Sequence, residues 1–134
     1  PYCDPVAPNS VSGTGASFRT QGCASHVTND LTLTVTDLPP GKPGIFFYGP
    51  FQNQITFGNG WLCVGGAVTR VPTALFADPS GTVTYDVDLT QQPFASGPGQ
   101  ILPGSTWNFQ FWYRDPAGGP SGFAASNGVR SVTP

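Results

Sequence analysis

"TWNFQFWYR", residues 106–114, is the stretch whose reading decides the fold. With the two-residue period of a strand, Trp107, Phe109, Phe111 and Tyr113 share one face, and Asn108, Gln110, Trp112 and Arg114 share the other. Four aromatic rings in register are what the interior of a two-sheet sandwich takes. Burying each ring contributes on the order of 2–3 kcal/mol. The strand runs into "DPAGG", where Pro116 pre-sets a turn and the Asp115 carboxylate is placed to accept from turn N–H groups. Arg114 is placed to cap carbonyls there or to pair with Asp86 or Asp88.

Working outward, the same period recurs. "LTLTVTDL" (31–38) and "TVTYDVDL" (82–89) alternate apolar and polar residues, so Leu31, Leu33, Val35, Val83, Tyr85 and Val87 should face the aromatic strand across a core. "IFFYG" (45–49) is a continuous apolar run and reads as a central strand. "FQNQITF" (51–57) and "WLCVGG" (61–66) flank "GNG" (58–60), a hairpin signal. "GASFRT" (15–20) and "GVRSVT" (128–133) supply further short strands, "AVTRV" (67–71) continues or bulges from "WLCVGG", and "PPGKPG" (39–44) and "DPSG" (78–81) are turns. The sum is an all-β chain, an antiparallel β-sandwich of about seven to nine short strands, Ig-like or jelly-roll-like, with a small barrel as the alternative. Residues 1–13 read as an irregular N-terminal arm and 14–134 as a single sandwich domain. The chain begins at proline, which suggests a segment processed or excised from something longer.

Composition restricts the function classes. The net charge is −2, with no Glu, one Lys and four scattered Arg, which gives no footprint for nucleic acid. No apolar run approaches a membrane span, so insertion is not expected. Sparse charge, many turns and no Met suggest an exported, extracellular or cell-surface protein.

Of three cysteines, only two can pair within the chain. Cys3–Cys63 is the favoured disulfide because it ties the arm to a central strand, leaving Cys23 buried or joined to another chain. A single His and no Cys-x-x-Cys argue against a metal centre, and no cofactor is implied.

Candidate site residues lie mainly on the second face of 106–114. An indole flanked by amides suits a sugar ring, so Trp112, Asn108 and Gln110 form a candidate polysaccharide-binding strip, with Trp61 beside the hairpin tip as a fourth member. The competing reading is a strand face covered by a loop. Asp86 and Asp88 read as a solvated strand face, and His26 near Cys23 lacks the partners of a nucleophilic pair. Asn59-Gly60 and Asn127-Gly128 read as turn signals.

The order "NDLTLTVTDLPPGKPGIFFYGP", "FGNGWLCVGG", "PGSTWNFQFWYRDPAGGPSGF" resembles a β-module of many secreted proteins of planctomycete and myxobacterial type, across nearly the whole chain. The resemblance implies export and modularity, and it carries no particular activity over to this chain. Many such modules end in Phe-Cys-Pro; this chain ends Val132-Thr133-Pro134, so a disulfide to that last Cys is absent.

Three functions remain open. The first is a non-catalytic structural or adhesive module that assembles with copies of itself through the arm, with Tyr2 as the anchor. The second is a carbohydrate-binding module. The third and weakest is a hydrolytic enzyme.

Overall fold

A computed structural model describes residues 2–3 and 6–134. Eleven strands are formed among the described residues: β1 (Ser17–Gln21), β2 (Thr32–Thr36), β3 (Pro43–Gly49), β4 (Phe51–Phe57), β5 (Gly60–Gly65), β6 (Thr69–Arg70), β7 (Leu75–Phe76), β8 (Val83–Asp86), β9 (Thr106–Arg114), β10 (Phe123–Ala125) and β11 (Val129–Val132). The sole helical piece among them is a 3-10 turn at Pro116–Gly118. All the strand pairings are antiparallel. The architecture is the expected all-β sandwich.

One sheet has the order β1-β2-β8. The main sheet has β3 and β9 at its centre, with β6 and β7 beside β3 and with β10 and β11 beside β9. The two pack through one apolar core. Phe18, Leu33, Val35, Val83 and Val87 come from the small-sheet side, and Phe46, Tyr48, Phe109, Phe111 and Tyr113 from the main sheet. The faces of β9 are those its period implies, with Phe109, Phe111 and Tyr113 in the core and Trp107 packed at its margin. Ring pairs bind the layers: Phe46 lies 4.6 Å from Phe111 and 5.4 Å from Phe18, and Tyr48 lies 5.0 Å from Phe109, centroid to centroid. Offset and edge-on pairs of this kind add to what burial alone gives.

β3 is buried along most of its length, which explains its unbroken apolar run. Phe46 and Tyr48 enter the core, while Phe47, opposite Gln110 on β9, is buried on the other face. That second face is covered because β4 and β5 do not join either sheet. They form a separate two-stranded hairpin. Pro50 separates β3 from β4, and its ring removes a backbone donor where the ladder would continue.

Two expectations about strands change. The segment 67–71 does not extend β5: β6 leaves the hairpin and pairs with β3, Phe47 opposite Arg70. The strand expected over 82–89 stops at Asp86, so Asp88 leaves the strand and accepts from Thr90 and Asn29 instead. β7 and β10, of two and three residues, are too short for a periodic signal.

Candidate functional site

The hairpin is joined to the main sheet by buried amides. The Gln110 side chain accepts from the Cys63 N–H at 2.9 Å and donates to the carbonyls of Trp61 at 2.9 Å and Ser126 at 2.7 Å. Gln110 thus takes the place of a neighbouring strand along the inner edge of β5. Asn108 donates to the Gly49 carbonyl at 3.4 Å. The candidate polysaccharide strip is therefore corrected: Gln110 is 0% and Asn108 3% exposed, and neither amide faces solvent. The face assignment was right, but a hairpin, not water, lies on that face. Trp112 is half-buried, and Trp61 on β5 is 37% exposed and does not line the cleft that Trp112 lines. The four residues do not form one strip.

The arm fixes the hairpin along the same edge of β5. Cys3 and Cys63 are disulfide-bonded, with Cα atoms 6.2 Å apart, and the Tyr2 hydroxyl donates to the Cys63 carbonyl at 2.6 Å. Tyr2 also pairs with Gly128 through two backbone hydrogen bonds of 2.9 and 3.0 Å. A Cβ at Gly128 would come within 2.4 Å of the Tyr2 ring, so the close approach requires glycine. Further along the arm, Asn9 donates to the Asp37 carbonyl and the Tyr113 hydroxyl, and Ser10 donates to the Asp115 carboxylate through its N–H at 2.9 Å and its hydroxyl. Tyr2, expected to anchor a neighbouring chain, is engaged within its own chain. Asp115, expected to accept from turn amides, accepts from the arm and is 1% exposed. Pro1, Asp4 and Pro5 lie outside the described residues.

Between the hairpin and the main sheet runs an open cleft of about 410 Å3. Ile45, Phe47, Trp112 and Phe123 form its floor, Phe57 and Leu62 its hairpin wall, and Val68 and Arg70 its far margin. The walls are held in place. The Asn59 N–H donates to the Phe123 carbonyl, its Oδ1 accepts from Ser121, and the Phe57 and Phe123 rings meet edge-on at 5.2 Å. Arg70 is the one charged residue of the lining. The Arg114 guanidinium, expected at carbonyls or at Asp86 or Asp88, lies 5.0 Å from the Trp112 ring centroid, a cation–π contact.

Residues suited to catalysis are dispersed. His Nε2 of residue 26 lies 2.8 Å from the Ile101 carbonyl. Asp86 accepts from Thr32. Among the described residues no three His, Cys, Asp or Glu side chains are grouped to hold a metal ion. Cys23 is unpaired within the chain and exposed, which corrects the expectation of a buried thiol.

Sequence reading missed the role of Asn127. It is 5% exposed, and its side chain accepts from the Phe18 N–H at 2.7 Å and donates to the Phe18 carbonyl at 3.0 Å. It closes the edge of β1 as Gln110 closes that of β5. An Asn-Gly pair is first of all a turn signal, and nothing local distinguishes an Asn that reaches into the other sheet.

The class these features define is a small disulfide-linked β-sandwich with a hairpin laid over one sheet. A buried disulfide of this kind is typical of extracellular proteins. No helix among the described residues is long and apolar enough to cross a membrane. No protein-family model and no curated protein matches the chain.

Proposed function

We propose that this chain is a non-catalytic structural module of exported proteins, acting at a cell surface or in an extracellular matrix, that pairs with a copy of itself along β4. One observation carries the reading: the two-stranded hairpin sheet has one closed edge and one open edge. Gln110 and Tyr2 occupy the backbone groups of β5 on its inner side. Among the described residues β4 pairs with β5 alone, and every residue from Phe51 to Thr56 is exposed.

Open edges in monomeric proteins are commonly guarded by charge, proline or a bulge. β4 carries a register irregularity between Gln52 and Ile55, but no charged residue occurs anywhere between Lys42 and Arg70. Phe51 is 65% and Ile55 50% exposed on this strand. Antiparallel pairing of two β4 strands about a twofold axis gives a sheet β5-β4-β4′-β5′. Its outer edges are the closed β5 edges, so growth ends at the dimer. Pairing along β4 is proposed in place of assembly through the arm, because Tyr2, Cys3, Asn9 and Ser10 are engaged within the chain. Resemblance to secreted modules fits this reading. The sugar-binding alternative loses the two amides that would have bonded to hydroxyls.

Light scattering on the oxidised chain across a concentration series tests the proposal, with Cys23→Ser excluding thiol-linked dimers. Dimers are expected, and the exposed-site double variant Gln52→Lys, Gln54→Lys should be monomeric with an unchanged circular dichroism spectrum. A monomer at every concentration, or a dimer indifferent to both lysines, overturns it. Retention of that monomer on insoluble polysaccharide, lost on Trp61→Ala, would move the assignment to glycan binding.

A further inference from the structure

We infer that the cleft between the hairpin and the main sheet is a binding site for a small amphiphilic carboxylate. The apolar body lies on Ile45, Phe47, Leu62 and Trp112, and the carboxylate sits on the Arg70 guanidinium. This goes beyond the self-association reading, since it uses the cleft and not the β4 edge.

Size and lining are the first grounds. Ligand sites are clefts of roughly 300–1,000 Å3 with apolar walls and a few polar groups that fix orientation. This cleft measures about 410 Å3, and every lining residue except Arg70 is apolar. It is preformed: the Gln110 amide and the Asn59–Phe123 hydrogen bond seat the hairpin on the main sheet, and the Cys3–Cys63 disulfide ties it to the arm. With the hairpin seated by these bonds, the apolar lining of the open cleft is in contact with water, which a ligand would displace.

Charge is the second ground. The chain has a net charge of −2 and only five basic residues. Two of them mark this region: Arg70 lines the cleft, and Arg114 lies over the Trp112 ring that forms its floor. The exposed Arg70 guanidinium presents paired donors that match both carboxylate oxygens, a charge-assisted contact that an uncharged apolar guest does not make. An anionic head on an apolar tail satisfies both features at once.

Isothermal titration of the oxidised full-length chain with decanoate, decanol and acetate, below micelle-forming concentrations, tests the assignment. Saturable one-to-one binding is expected for decanoate, with decanol at least tenfold weaker and acetate undetectable. Arg70→Gln should weaken decanoate at least tenfold and leave decanol within about twofold. Val68→Trp, at an exposed position, should fill the cleft and weaken both ligands. Both variants must retain the wild-type thermal midpoint. Absence of saturable decanoate binding overturns the inference, as does binding indifferent to Arg70→Gln or to Val68→Trp. The β4 lysine variant should bind decanoate normally, so this site and the self-association reading fail independently.

Discussion

The backbone N–H of Cys63 donates to Oε1 of Gln110 at 2.9 Å, across a separation of 47 residues, with both residues buried. Through this bond a side chain of the central strand does the work of a strand, and the hairpin is seated on a sheet with which it shares no ladder.

Replacing Gln110 therefore costs more than one hydrogen bond. Gln110→Ala leaves the Cys63 N–H and the carbonyls of Trp61 and Ser126 without their partner in a buried site. A destabilisation of about 2–4 kcal/mol is expected in urea denaturation. Gln110→Glu should be no better, since it removes both donated bonds and buries a carboxyl. Amide exchange at Cys63 should accelerate most in Gln110→Ala, since Gln110→Glu keeps an oxygen for that N–H.

The Cys3–Cys63 bridge closes a loop with a sequence separation of 60. Its removal by Cys3→Ser should lower stability by about 2–4 kcal/mol on the loop-closure account. It should also expose Tyr2, seen as faster exchange at the Tyr2 and Gly128 amides that pair across the arm. In the native wild-type chain a thiol reagent should titrate one group, Cys23, because it alone is free and exposed.

Alkaline pH should act through the tyrosines. Burial pushes the Tyr2 phenol up to about 12, and burial also raises Tyr48, Tyr85 and Tyr113. The folded chain then holds these protons more tightly than the unfolded chain, where tyrosine titrates near 10. Their contribution is complete below about pH 10 and is lost as pH rises through the folded values. Denaturant midpoints should be level up to about pH 10 and fall beyond it. Tyr2→Phe should be less stable at neutral pH, having lost its bond to the Cys63 carbonyl, and should show a shallower alkaline fall.

What the sequence made legible follows periodicity. β2, β8 and β9 alternate strictly, so their faces were readable, and the core they form is the expected one. The chain also discloses the hairpin at Gly58–Gly60, but not where it lies. Its placement depends on contacts made dozens of residues away, by Gln110, Cys3 and Phe123. For that reason Asn108 and Gln110 looked like a solvent-facing strip. A polar residue alternating with aromatics has the same pattern whether it meets water or a buried backbone edge, and only the third layer decides between them. The cleft beneath the hairpin was illegible for the same reason.

Asn127 offers the sharpest test of how the sheets are joined. Its amide holds both backbone groups of Phe18, the largest core side chain of β1. Asn127→Asp keeps an oxygen for the Phe18 N–H but loses the donor to the Phe18 carbonyl, and it places a carboxyl in a site 5% exposed. Asn127→Ala loses both bonds and leaves two buried backbone groups unpaired. Each variant should be destabilised by about 2–4 kcal/mol near neutral pH. They should differ in their pH response. The aspartate must be desolvated when charged, so Asn127→Asp should regain stability as pH falls toward 5, while Asn127→Ala should not. Denaturation midpoints for the two variants at about pH 7 and about pH 5 would distinguish them, and parallel behaviour would show that the donor to the Phe18 carbonyl, not the burial of charge, sets the cost.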